Sequence, residues 1–325
     1  MENLDSTVLA TALPAIAHSL GENPIRLNLA ISSYLLSLAV FIPASGWFAD
    51  KFGARHVFRG AICIFMLGSI ACGLSTSFFG FVLARIFQGL GGAMMVPVGR
   101  LVLLRSVAKA DLVRAMAYLT RPALIGPVIG PPSGGFLATY VSWRWIFWIN
   151  IPIGILGITL VTIFIANLRE PDVRPFDAYG FAMTAVGFSG LIFGFETIGR
   201  GTLPVPVTIA LLVVGAISIA AYIRYAYRNP HPIIDLRLLT IPTFRAGIYG
   251  GFFFRIAIGA LPFILPMMLQ LGFGLSPFRS GLLTFASAAG AMLMKATAGP
   301  VLRRFGFRRT LLFNAVISGG LVAVY

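Results

Sequence analysis

Charge is what this sequence has least of. Only 11% of its 325 residues are Asp, Glu, Lys or Arg, where a soluble chain carries roughly a quarter, and that shortfall excludes a water-soluble globular fold. Acids are the scarcer sign: ten Asp and Glu stand against 25 Lys and Arg, a formal net charge of +15. The two cysteines, Cys63 and Cys72, lie within one apolar stretch. They offer neither a disulfide framework nor a metal site and read as small packing residues. His18, His56 and His231 belong to no catalytic constellation. Zinc spacings, phosphate-binding glycine loops and nucleophile elbows are missing, so the sequence points away from an enzyme, implies no cofactor or metal, and holds no P-loop for ATP.

What fills the chain is apolar: 58% hydrophobic and 13% aromatic residues, 28 of them Phe, with a mean hydropathy of +0.91. A transmembrane helix needs about 20 mostly apolar residues. Such runs fall near 4–20, 29–49, 57–76, 78–104, 112–140, 144–168, 178–199, 205–227, 245–271, 277–298 and 310–325. The expectation is an all-α polytopic membrane protein with nine complete spans between two incomplete ones. The first run is short and already holds Glu2 and Asp5, while the last reaches Tyr325 without charge or turn. Both ends are therefore expected to be cut from a longer, transporter-sized protein. A cleavable signal peptide is not expected, because the first run lacks a basic n-region and a small-residue cleavage site.

The basic residues set the direction. Loops after even-numbered spans hold sixteen of them, among them Lys51, Arg55, Arg105, Arg174, Arg237 and Arg308; loops after odd-numbered spans hold four, Arg26, Arg144, Arg200 and Arg279. By the positive-inside rule the even loops are cytoplasmic, as is the native amino terminus. The net charge is thus a topology signal for a lipid bilayer and not a nucleic-acid footprint. Trp143, Trp145 and Trp148 cluster where span 6 leaves the opposite surface, the placement of an interfacial aromatic belt.

Two even loops also read alike. Gly46-Trp47-Phe48-Ala49-Asp50-Lys51-Phe52-Gly53-Ala54-Arg55 and Gly299-Pro300-Val301-Leu302-Arg303-Arg304-Phe305-Gly306-Phe307-Arg308 share Gly, then base-Phe-Gly, then Arg at equal spacing. Glycines permit close approach and chain reversal, and the bases hold each turn at the anionic leaflet. Same-orientation repeats are typical of transporters built from two parallel halves.

The stretch from Gly46 resembles the loop signature of the major facilitator superfamily, with Phe48 in place of its Leu and Ala54 in place of one base. Arg85-Ile86-Phe87-Gln88-Gly89 is similar to that superfamily's fourth-helix motif, and Gly126-Pro127 through Pro131-Pro132-Ser133-Gly134-Gly135 to its fifth-helix antiporter motif. Leu4-Asp5-Ser6-Thr7-Val8 with Ala12-Leu13-Pro14, and Trp143 to Phe147 with Asn150, Pro152 and Gly154, resemble the fourteen-helix drug:proton antiporters, nearest their MdtD-like, EmrB-related branch. The resemblance implies a major facilitator fold: a first six-helix bundle at 1–168, a linker with two extra helices at 169–243, and the start of a second bundle at 244–325. It further implies a bacterial inner-membrane antiporter that expels small amphipathic or toxic compounds in exchange for protons. A specific metabolite facilitator or exporter, and a fragment that does not transport, are the competing expectations.

Ionisable groups within a bilayer cost several kcal/mol unless partnered or lining a cavity, so each is a functional candidate. Asp5 lies on helix 1, which the resemblance places at the central cavity, where a carboxyl can bind and release a proton. Arg85 lies roughly 10 Å into span 4, too deep for an interface residue, and needs an acceptor; Gln88 shares its helix face. Glu196 is a fourth coupling candidate, or else an ordinary i,i+4 pair with Arg200. Asp50, Lys51 and Arg55, with Gly46 and Gly53, are expected to latch the loop. Gly126, Gly130 and Gly134 recur every four residues as one smooth face, and with Pro127, Pro131, Pro132 and Gly135 they are expected to kink span 5 and seal the halves. Arg121 and Arg255 are cavity candidates; Arg100 and Lys295 are close enough to the cytoplasmic surface to snorkel.

Overall fold

The structure is a computed structural model and describes residues 2–324 apart from 109–110, 113–114, 117, 119–124, 168, 199–202 and 260. All of its regular structure among the described residues is helical. The first half comprises α1 (Glu2–Leu20), α2 (Pro24–Phe52), α3 (Ala54–Leu74), α4 (Phe78–Ser106), α5 (Ile125–Phe136), α6 (Trp145–Trp148) and α7 (Asn150–Phe164). Then follow α8 (Ala178–Thr197) and α9 (Val205–Arg228), and after a short 3-10 turn α10 (Pro242–Gly259), α11 (Leu261–Met267), α12 (Pro277–Phe305) and α13 (Phe307–Val324). Wide π-turns follow α5 (Leu137–Val141) and α11 (Met268–Gly272). Among the described residues, six stretches are long and apolar enough to cross a membrane: α2, α3, α4, Trp145–Phe164, α8 and α9.

Local chemistry sets the helix ends. Asn23 caps α2 by accepting from the Ile25 amide, with Pro24 in the first turn. Ser276 caps α12 by accepting from the Arg279 amide, with Pro277 in the first turn. Those two helices end alike as well. Gly53 (φ +89°) and Gly306 (φ +76°) adopt a left-handed φ that L side chains rarely reach, and each amide donates to the carbonyl four residues back, Ala49 and Leu302. The loop repeat therefore belongs to a larger one. Gly21-Glu22-Asn23-Pro24-Ile25-Arg26 matches Gly274-Leu275-Ser276-Pro277-Phe278-Arg279, and both pairs of motifs are 253 positions apart (274 from 21, 306 from 53). Gly21 and Gly274 also share positive φ.

Burial concentrates in the first half. Leu9, Leu13 and Ile16 of α1 pack against Leu27, Phe81 and Phe147. Helices α3 and α4 approach backbone to backbone, since a Cβ on Gly68 would overlap Gln88 and one on Gly91 would overlap Ala61 and Phe65. Outward, the pattern inverts: Ile155, Leu156 and Ile163 on α7 and Ile209, Val213 and Ile217 on α9 are exposed. Each would forgo about 1.5–3 kcal/mol of burial in water, a penalty that hydrocarbon removes.

Of the three tryptophans expected in an interfacial belt, only Trp145 faces outward. Trp143 is buried edge-on to Phe81 and Phe147, and the Trp148 indole lies where a Cβ on Gly73 would sit. Core packing claims these two rings.

Candidate functional site

Four helices of the first half bring polar side chains to one point inside the bundle. Asp5 of α1 and Arg85 and Gln88 of α4 are buried, Arg85 and Gln88 with no exposed surface at all. Arg85 Nη1 donates to Asp5 Oδ2 at 2.6 Å and to Gln88 Oε1 at 2.5 Å, while its Nε reaches the Ala30 carbonyl at 3.4 Å. Its guanidinium lies over the Tyr34 ring, 4.3 Å from the centroid. Gln88, one turn from Arg85, donates through Nε2 to Asp5 Oδ1 (3.1 Å) and to Ser69 Oγ (3.3 Å). Asn150 Nδ2 donates to the same two oxygens, at 3.4 and 3.0 Å. Ser69 sends its own proton to the Phe147 carbonyl at 2.9 Å. The Cys72 thiol closes the group at 3.6 Å from Gln88 Oε1.

This arrangement answers the cost of burying charge. The pair supplies mutual attraction, and the Gln88 and Asn150 amides donate to the carboxylate oxygen that Arg85 does not hold; Arg85 Nη2 is buried with no hydrogen-bond partner among the described residues. The expected acceptor for Arg85 is Asp5, and Gln88 shares it as the helix spacing predicts. Ser69 and Asn150 were not among the expected coupling residues. Ser69 is a lone polar side chain at a buried helix position, and Asn150 stands out in sequence only as part of the motif that follows Trp143.

Glu196 sits elsewhere. It accepts from Ser32 Oγ (2.9 Å) and Asn28 Nδ2 (3.4 Å), tying α8 to α2; Arg200 lies outside the described residues. Arg121 likewise lies outside them. Arg255 is exposed on α10 and makes no hydrogen bond or ion pair among the described residues. Arg100 is exposed near the end of α4.

The loop motif meets the end of α4 and the segment that follows α7. Asp50 Oδ1 accepts from Arg105 Nη2 at 2.9 Å, and the same nitrogen reaches Glu170 Oε1 at 3.0 Å. Glu170 donates its amide to the Asp50 carbonyl (3.2 Å), and Trp47 Nε1 donates to the Arg174 carbonyl (2.8 Å). Lys51 lies over the Trp47 ring at 4.6 Å. Gly53 leaves the room that Asn167 occupies, whereas a Cβ on Gly46 would meet nothing within 4 Å. Gly46 therefore mediates no close approach among the described residues. Arg55 is half-buried.

The fifth-helix motif divides its work between two faces. Gly130 and Gly134 admit Thr7, Val8 and Thr11 of α1, and the Gly126 carbonyl accepts from Thr7 Oγ1 at 3.2 Å. That expected smooth face thus packs inside the first half. The contact with the second half falls to Gly135, against Pro277 and Phe278, and to the Pro131 carbonyl, against Gly281. Pro127, Pro131 and Pro132 all lie within α5, whose helix continues through them to the π-turn at Leu137. Both π-turns then supply hydrogen bonds to the opposite half: Thr139 Oγ1 accepts from the Phe278 amide (3.3 Å), and Gln270 Nε2 donates to the Thr11 carbonyl (2.9 Å).

Comparison with known proteins places these features. The chain is 43% identical over 312 residues to a protein of Citrobacter koseri named as multidrug resistance protein MdtD. It is 44% identical to the proteins of that name in Escherichia coli O6:H1 and Salmonella paratyphi B, over 312 and 313 residues. These alignments cover 96% of this chain and 66% of each relative's length. Among solved structures, that titled "Crystal structure of auto inhibited POT family peptide transporter" shares the fold, with a TM-score of 0.53 at 15% identity over 94% of this chain and 70% of that one. The family model of the Major Facilitator Superfamily matches residues 1–325. The chain is a multi-pass membrane protein and belongs to the Major Facilitator Superfamily.

Proposed function

We propose that this chain is part of a proton-coupled secondary transporter that exports small amphipathic or toxic compounds by alternating access. The observation that carries the reading is the fully buried Asp5–Arg85 pair, with Gln88 bridging both partners. A carboxylate whose charge is balanced inside the bundle is a site where gaining one proton breaks an ion pair. Protonation there therefore biases the packing of α1 against α4, which is what coupling a proton to a conformational equilibrium requires. The name carried by the 43–44% identical relatives supports multidrug compounds as the substrate class.

In this reading residues 1–168 are the first bundle, 169–243 the linker with its two extra helices, and 244–325 the start of the second bundle. The protein sits in the bacterial inner membrane with the Gly53 and Gly306 turns in the cytoplasm, where the excess of Lys and Arg belongs. The end joined by Gly135, Pro277 and the two π-turns then faces outward and is closed. The protein uses small-molecule substrates and protons and no cofactor.

The test is efflux of a panel of dyes and antibiotics from vesicles holding the full-length protein under an imposed pH gradient. Export that collapses with the gradient, and falls at least tenfold in Asp5→Asn, is expected. Export indifferent to both would remove the proton and Asp5 from the mechanism.

A further inference from the structure

Every donor around Asp5 points at a carboxylate. Arg85 Nη1 faces Oδ2, and Gln88 Nε2 and Asn150 Nδ2 both face Oδ1. The amide orientations are fixed by chemistry as well as by position. Ser69 has one proton and gives it to the Phe147 carbonyl, so its oxygen can only accept, and both amides must turn their NH2 groups toward it. A protonated Asp5 has no acceptor in this arrangement.

One of the two amides can provide it. Gln88 is locked, because its Oε1 already accepts from Arg85 at 2.5 Å. Asn150 is not: its Oδ1 is buried and has no hydrogen-bond partner among the described residues. Rotating the Asn150 amide by half a turn brings that oxygen to Asp5 Oδ1 and to the Ser69 hydroxyl, which can redirect its proton. We propose that Asn150 is a positioning residue that reads the protonation state of Asp5, donating to the carboxylate and, after the turn, accepting from the acid. The proton enters on Oδ1, since Oδ2 faces a cation, and leaves from the same oxygen. Arg85, the Cys72 thiol and the Tyr34 phenol are the other titratable groups around this point among the described residues.

The two states do not gain equally. The carboxylate is already held by Arg85 and Gln88. The acid has Asn150 alone as its acceptor. Asn150 therefore favours the protonated form, and the inference rests on the reading of Asp5 as proton carrier.

The experiment follows the carboxylic-acid infrared band of the full-length protein in lipid vesicles across pH, with the Asp5 contribution identified by its loss in Asp5→Asn. Asn150→Leu, similar in volume but without hydrogen bonds, is expected to move the Asp5 midpoint down by about one pH unit, the worth of one net hydrogen bond. Asn150→Gln, which retains both roles, restores most of the shift. Asn150→Ala carries the same sign test should the leucine variant fold poorly. A residue that merely donates to the carboxylate predicts the opposite, an upward shift. An upward or absent shift with Asp5 still titrating overturns the inference alone, whereas an Asp5 that never titrates overturns the carrier reading with it.

Discussion

Removing Arg85 and removing Asp5 are unequal insults, because the two leave different charges behind. Arg85→Ala empties the space of a fully buried arginine side chain and leaves Asp5 with only the Gln88 and Asn150 amides, and losing one member of a buried pair costs about 3–5 kcal/mol. Asp5→Asn keeps the shape and strands a guanidinium that still has Gln88, the Ala30 carbonyl and the Tyr34 ring. The arginine variant is therefore expected to be the less stable in thermal unfolding in detergent, and Asp5→Asn combined with Arg85→Ala more stable than Arg85→Ala alone. A double variant whose losses simply add would show that the pair does not act as a unit. Arg85→Lys is expected to fall between, since one ammonium cannot reproduce the contacts of a planar fork. At this scale the sequence marked Asp5, Arg85 and, by helix spacing, Gln88, which the fold brings together, but it marked Arg255 in the same way, and that side chain is exposed and apart from them. Ser69 carried no such signal, and Asn150 only its place in the motif after Trp143, because an uncharged polar side chain in a membrane helix reads the same whether it caps its own backbone or serves a cluster. Trp143 was misleading for a related reason, as a tryptophan suits an interface and a core equally.

Elements join where glycine removes a side chain, and the fold shows which joins matter. The Gly126–Gly130–Gly134 periodicity marks a close-packed face, and such a face exists, but periodicity does not say which helix lies against it. It is α1 of the same half, and the seal belongs to Gly135 and Gly281 one register away. The matching Gly-x-Asn/Ser-Pro-x-Arg turns at Gly21 and Gly274 were legible in principle and mark the repeat as spanning α2 and α12 entire. The π-turns were not legible, since their wide hydrogen bonding answers to the packing of α5 and α11 against the opposite half. Their role is testable. Thr139→Val with Gln270→Leu removes both side-chain hydrogen bonds from this seam, each worth about 1 kcal/mol net. The open population at this end is then expected to rise about thirtyfold. A cysteine at Ser280, buried on α12 beside the seam, reports the opening through its labelling rate with a membrane-impermeant maleimide, measured over the background of Cys63. An unchanged rate would mean that backbone contact between α5 and α12 holds the seam alone.

For the whole molecule, the repeat and the charge asymmetry make one joint claim. Turns 253 positions apart lie at corresponding ends of α2 and α12, so parallel halves require Arg55 and Arg308 on one side of the membrane and Arg26 and Arg279 on the other. The positive-inside rule adds which side is which. These are separate physical statements, one about helix packing and one about the energetics of moving bases across a bilayer, and a single labelling series tests both. Cysteines placed singly at the four arginines, in cells probed with an impermeant reagent, are expected to react from outside at 26 and 279 and only after permeabilisation at 55 and 308. Reversal of all four would preserve the parallel halves and invert the orientation. A split within either pair would break the repeat itself, and with it the assignment of Pro277–Phe305 as the counterpart of Pro24–Phe52. The buried cluster would survive that outcome, because Asp5, Arg85, Gln88 and Asn150 all belong to the first half. What would fall is the proposed rocking of one half on another that would link a proton on Asp5 to a substrate.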